Sequence, residues 1–360
     1  MLMLLFKKKL YFYLYIFFLI FVVIINEFST NKAYSKNFII SDIEVEEKYD
    51  LNFNKSKVID KGFIQAFKIL IYKMVEKKDR SKFENISLKQ IKSLIDNFSI
   101  VDEKFIDNKY TNKFEVQFNR KKILNFFEKK NVISSLPKEV KSFFLPILID
   151  TKASELYNLN KNIFFNNWNI KLQKHSLINY VLPNEDIEDY LIIKKNIRNI
   201  ENYNFNEIIK KYNLDNYIIL IALKENDVLR IFSKIKFDDK NILMNNFYNK
   251  ININDEEPVN NLIIDIKNHY EDKWKSLNKL NTLIALPLRL SIESKNIKLS
   301  KKLEKTLLEF YLVSDFKIEK FNSKNTIYKI IFNSSPDKFL DKMLSFGFNI
   351  DTTNDVWKLR

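Results

Sequence analysis

The sequence predicts a protein of class α+β or α/β: a signal peptide, then two or three small α/β domains, the last ferredoxin-like in the order βαββαβ. Three observations carry that prediction. Apolar residues alternate strictly at Ile284, Leu286, Leu288, Leu290 and Ile292, the period of a half-buried strand. They recur at helical spacing at Val259, Leu262, Ile263, Ile266 and Tyr270. The two periods also take turns along the chain, as layered sheets and helices require. The expected division is 1–35 for the signal peptide, 36–137 for a βααββα domain, 138–278 for a middle α/β domain and 279–360 for the last.

Lys7, Lys8 and Lys9 precede Leu10–Ile25, sixteen residues without a charge, and Ala33-x-Ser35 follows. A basic start, an apolar centre and two small residues two apart form the pattern of an export signal, with cleavage expected after Ser35. A bilayer core needs roughly 20 apolar residues in a helix, so the run is short for a permanent span. The alternative is an uncleaved inner-membrane anchor. In both cases the remainder is expected in the periplasm, and membrane contact only through this segment.

Phe38–Glu47 alternates through Ser41, Ile43 and Val45 as a first strand. Ile59, Phe63, Ala66, Phe67, Leu70 and Met74 make a helix stripe containing Gly62, read as a close-packing position. Ser87-Leu88-Lys89-Gln90 is a capping box opening a short helix. Phe114, Val116 and Phe118 form a strand paired with Ile100–Ile106, and Ile123, Leu124 and Phe127 a closing helix. In the middle domain, strands are expected at Phe143–Asp150, Asn179–Pro183, Tyr217–Leu223, Val228–Phe237 and Ile242–Tyr248. Helices are expected at Asn162–Trp168, around Phe205–Tyr212 and after Pro258. In the last domain, Leu299, Leu303, Leu307 and Phe310 make a helix, and Phe316–Ile318 and Tyr328–Phe332 two strands. Ser335-Pro336 starts a helix that Gly347 stops, and Phe348–Leu359 is expected as one closing strand pinned by Trp357.

Composition excludes several chemistries. Cysteine is absent, which removes disulfides, a lipoprotein anchor and thiolate sites. The two glycines, Gly62 and Gly347, are far apart, whereas phosphate loops, dinucleotide fingerprints and nucleophile elbows need them clustered. His175 and His269 have no partner at metal-ligand spacing. No cofactor and no metal is expected. The formal charge is +15, yet only six of the 60 basic residues are arginine and no dense basic block stands out. Base-edge readout prefers arginine, so nucleic acid is not an expected partner. The heavy use of Asn, Ile, Lys, Phe and Tyr reads as a low-GC, bacterial source.

Asn162-Ile163-Phe164-x-x-x-Trp168 resembles the N-P-W-x-x-x-W stretch of an uncharacterised bacterial envelope family, domain-of-unknown-function family 2066. Val181-Leu182-Pro183-Asn184-Glu185-Asp186, with Asp189, is similar to that family's strand-proline-acidic segment. The helix with Gly62, Ala66 and Leu70 and the ending Gly347…Trp357-Lys358-Leu359 fit its two ends. Ile163 and Phe164 depart from the family's Pro and Trp. The resemblance implies an exported protein without established activity, so it assigns no catalytic residues.

The candidate binding residues are Asn162, Phe164, Trp168, Pro183, Asp186 and Asp189. Glu185, Asp186, Glu188 and Asp189 form the densest acidic cluster, suited to acid–base work or a hard cation. The plainer reading is that carboxylates in a first helical turn stabilise its dipole by about 0.3–1 kcal/mol each. Tyr157, Phe164, Phe165 and Trp168 are suited to a ligand groove, but the favoured reading is core packing, since an aromatic stripe usually buries itself. His175-Ser176 lacks the glycine turn of a hydrolase, and His269 reads as solvated. The favoured function is non-enzymatic interaction or scaffolding with envelope proteins. The alternatives are an envelope-directed enzyme using the middle domain's carboxylates and a lysine-rich binder of anionic lipid or polymer.

Overall fold

The structure, a computed structural model, describes residues 38–169, 175–280, 285–310 and 312–360. Residues 1–37, with the expected export signal and its Ala33 and Ser35, and Ile284 lie outside them. With 37% helix and 35% strand, the protein has the mixed α and β content the sequence predicts. It divides into two compact units: residues up to Ala66 with Leu88–Asn131 and Leu280–Arg360, and Phe67–Ser87 with Val132–Lys279.

The first unit opens with β1 (Ile39–Lys48) and α1 (Lys55–Met74), of which residues 55–66 belong to it. It continues with α2 (Leu88–Leu94), β2 (Ile95–Ile106), β3 (Lys109–Phe118) and α3 (Arg120–Lys129). The three strands form an antiparallel sheet in the order β1-β3-β2. β3 buries Tyr110, Phe114, Val116 and Phe118 on one face, as its alternation dictates. Gly62 lets α1 approach that face: a Cβ there would stand 2.9 Å from two ring carbons of the fully buried Phe114. Gly62→Ala is therefore expected to destabilise by about 1–2 kcal/mol, the strain of overpacking exceeding the roughly 1 kcal/mol gained in helix propensity. A urea midpoint equal to or above wild type would refute it.

With so few glycines, other residues must occupy the left-handed turn positions. Of the nine non-glycine residues at positive φ among those described, seven are Asn or Asp, including Asp107 and Asn108 between β2 and β3. Their short side chains tolerate this conformation best among L-residues.

The C-terminal part contains β10 (Leu286–Glu293), α8 (Ile297–Glu309), β11 (Val313–Phe321), β12 (Asn325–Phe332) and α9 (Pro336–Ser345), numbered along the whole chain. β12 pairs antiparallel with β11 and β10, the split βαβ arrangement of a ferredoxin-like sheet. The end of the chain differs from expectation. Two short strands, β13 (Ile350–Asp351) and β14 (Trp357–Leu359), replace the single closing strand, giving the order β11-β12-β10-β14-β13. β14 runs parallel to β10, because the chain reverses after Asp351, whose carboxylate accepts the Thr353 N–H and hydroxyl at 3.1 and 2.8 Å. Gly347, at φ +75°, ends α9 as predicted.

The second unit contains β4 (Val140–Asp150), β5 (Glu155–Leu156), α4 (Ile163–Trp168), β6 (Ile178–Val181), α5 (Ile187–Lys195) and α6 (Asn206–Lys210). β7 (Tyr217–Glu225), β8 (Val228–Phe237), β9 (Lys240–Asn249) and α7 (Glu256–Leu277) complete it. The sheet order is β5-β4-β7-β8-β9, with β6 also pairing β4. β4 is parallel to β6 and β7, while β7, β8 and β9 are antiparallel. Alternate residues of β4 and β7 feed two cores. Phe144, Leu148, Ile218 and Leu220 meet Trp168 of α4 and Tyr270 of α7 on one face. Leu145, Ile147 and Ile219 meet Ile193 of α5 and Ile208 of α6 on the other. Among the described residues no helix is long and apolar enough to cross a membrane.

Candidate functional site

β4 has one edge that two short strands share. β6 covers residues 140–143 and β5 covers 149–150, leaving the stretch between them without a strand neighbour on that edge among the described residues. Pro146 sits in that gap, where its missing N–H leaves no donor unsatisfied. Its carbonyl accepts the Asn162 side-chain amide at 3.0 Å, and the Leu148 carbonyl accepts the Tyr157 N–H at 3.0 Å. The Asn162 oxygen in turn accepts the Phe164 N–H at 3.0 Å and caps α4. Asn162 is buried and fully engaged in this plug.

Beside the gap lies a cleft of about 560 Å³ within the second unit. Leu145, Ile147, Leu156 and Ile193 line it as apolar surface, with Tyr157 and Tyr190 as its aromatic residues. Pro183, Glu185, Asp186, Ile187 and Asp189 line it from the segment that follows β6. Asp186 is the N-cap of α5 and accepts the Glu188 N–H at 2.8 Å. Lys211, just after α6, donates to Asp186 and Asp189 at 2.7 Å each. The Tyr212 hydroxyl accepts the Asn184 N–H at 2.9 Å. Glu185 takes its hydrogen bond from the neutral Asn160 amide, at 2.7 Å.

These contacts set the charge state. The bond from Lys211, then that from the Glu188 N–H, holds Asp186 below the usual carboxylate range. Hydrogen bonds to Asp186 and then Asp189 raise Lys211 in return. A general acid at neutral pH needs a raised carboxylate, and Asp186 has the opposite shift. Among the described residues no three His, Cys, Asp or Glu groups gather to hold a metal ion.

Of the six candidate residues, Pro183, Asp186 and Asp189 line the cleft. Phe164 and Trp168 do not: both are fully buried in the core on the other face of the sheet. Ser176, beside His175, donates to Glu271 at 2.6 Å and is part of that core's polar anchoring. Lys211 escaped the sequence reading, since nothing local marks a lysine 22 residues beyond its partner Asp189 as an ion-pair donor. The buried trio Lys267, Glu271 and Lys275 on α7 escaped it too. Their spacing of four is visible in the sequence, but the same spacing usually describes a solvated face.

No protein-family model matches the chain. It is 26% identical over 297 residues, 80% of its length, to Protein Ycf2 of Physcomitrium patens. The chain spans 11% of that protein's length. Similarity to a plant protein corrects the bacterial, low-GC source expected from composition. The physical reason is that Asn, Ile, Lys, Phe and Tyr usage follows the base composition of a gene and does not distinguish a bacterial one from another.

Proposed function

We propose that this chain is a non-enzymatic binding module and that the cleft beside β4 is its binding element. The observation that carries the reading is the cleft's combination of apolar lining with carboxylates already committed to Lys211 and to the cap of α5. Ligand pockets span about 300–1,000 Å³ and are mostly apolar with a few placed polar groups, which this one matches in size and kind. An acid–base enzyme needs one carboxylate that keeps its proton near neutral pH, and the hydrogen bonds to Asp186 favour its ionised form, which leaves Asp186 unsuited to the acid role.

Ile187 tests the proposal. It lines the cleft and is 79% exposed, so a larger side chain there can obstruct the opening without disturbing a core. Ile187→Trp is expected to keep the wild-type melting temperature while losing ligand-induced shifts. In a thermal-shift screen of a fragment library, wild type should yield compounds whose stabilisation disappears in the variant. Stabilisation that persists undiminished in Ile187→Trp would place binding elsewhere.

A further inference from the structure

The cleft's charge is opposite to that of the chain that builds it. Sixty of the 360 residues are Lys or Arg and the formal charge is +15, yet the residues lining the cleft include three carboxylates and neither of those types. Lys211 bridges Asp186 and Asp189. Lys194 stands over the Tyr190 ring at 5.8 Å from its centroid. Glu185 is the carboxylate left over. Its hydrogen bond comes from a neutral amide, and among the described residues no cation pairs with it.

We propose, resting on the reading of the cleft as the binding element, that its ligand is a small organic ammonium with an apolar body, the positive end at Glu185 and the body against the apolar lining. Ile187 supplies exposed apolar surface for the body, whose burial drives binding, and Leu145, Ile147, Leu156 and Ile193 border the cleft as core residues. Tyr157 and Tyr190 add aromatic groups to the lining, and an aromatic ring attracts an ammonium as well as an alkyl group. An anion of the same shape meets the unpaired Glu185 carboxylate as a like charge. A neutral molecule of that shape gains the apolar term alone. Charge therefore selects among ligands that fit equally well.

Hexylammonium, hexanol and hexanoate share one body and differ in the head, so they isolate the charge. NMR titrations of the full chain should show hexylammonium binding about tenfold more tightly than hexanol, a difference of about 1.4 kcal/mol, and hexanoate binding least. The preference should shrink as salt is raised, because the carboxylate is exposed. Glu185→Gln should bring hexylammonium down to the affinity of hexanol and leave hexanol unchanged. Equal binding of the ammonium and the alcohol, with both lost in Ile187→Trp, would overturn the ligand class and leave the binding element standing. Binding of none of the three would overturn the ligand class, while the fragment screen decides the binding element separately. An ammonium preference that survives Glu185→Gln would also overturn the assignment of the charge to that residue.

Discussion

Glu271→Ala is expected to lower the free energy of unfolding by about 3–5 kcal/mol, the range for removing one partner from a buried charged network. Glu271 is fully buried on α7, and one of its oxygens accepts three donors: the Ser176 hydroxyl at 2.6 Å and the N–H groups of Leu177 and Ile178 at 2.9 and 3.0 Å. Those two N–H groups lie where the chain enters β6, so the carboxylate fixes the approach of that strand to β4. Its charge also offsets part of the burial cost of Lys267 and Lys275. Glu271→Gln keeps an acceptor oxygen and loses the charge, and should cost less than the alanine variant. Denaturant unfolding of the two variants separates the contributions. Equal losses would mean that the hydrogen bonds contribute nothing beyond the charge.

The same cluster makes stability depend on pH, and the sign follows from the lysines. Burial pushes Lys267 and Lys275 down to about 8, the Arg80 guanidinium adding to the effect on Lys275. An unfolded lysine titrates at about 10.4, so between about pH 8 and 10 the unfolded chain holds more protons and stability rises with pH. Tyr180 and Tyr270, raised by burial, reverse the trend above about pH 10, where the unfolded chain loses protons that the folded one keeps. The melting temperature should climb from about pH 8 towards 10 and then fall. In Glu271→Ala the climb should begin at lower pH, since both lysines lose a favourable charge. A flat profile through this window would contradict the burial of these amines.

Trp168→Ala is the second large loss, expected at about 3–5 kcal/mol for truncating a buried aromatic. The indole is fully buried, stacked on Phe144 with centroids 3.9 Å apart and edge-on to Tyr180 at 5.4 Å. Lys267 stands 5.2 Å from its ring centroid and donates to its backbone carbonyl. Trp168→Phe retains much of the stack and should lose less. The alanine losses at Trp168 and Glu271 should not add, because Lys267 couples to both. An alanine variant as stable as wild type would return Trp168 to the surface role considered from the sequence.

Much of this fold is legible along the chain. The alternation of Phe114, Val116 and Phe118 and the stripe Val259, Leu262, Ile263, Ile266 and Tyr270 each name a face that the structure buries. Gly62 reads correctly as a packing position, because a glycine inside a good helix pattern needs a reason. The closing hairpin does not read correctly. β13 and β14 pair through only two residues each, too few for a period to show, and a parallel partner for β14 is a matter of where β10 lies. The site is half legible. The acidic segment after Pro183 stands out by composition, and Glu185, Asp186 and Asp189 do line the cleft. The aromatic stretch stands out equally, and Phe164 and Trp168 go inside, as the core reading of that stripe expects.

By itself, then, the sequence determined the periods and the punctuation: which residues share a face, where helices start and stop, and which glycine- and cysteine-dependent chemistries are absent. Those are properties of neighbours a few residues apart, set by backbone geometry and side-chain type. The three-dimensional packing alone buries Glu271 and its lysines, brings Lys211 to both Asp186 and Asp189, and leaves a cleft beside the gap in the edge of β4. Each of these joins segments distant in the chain, and no local pattern specifies which distant segment arrives. Burial and pairing are settled by the packing of the whole unit, where the free energy of a polar group depends on what surrounds it.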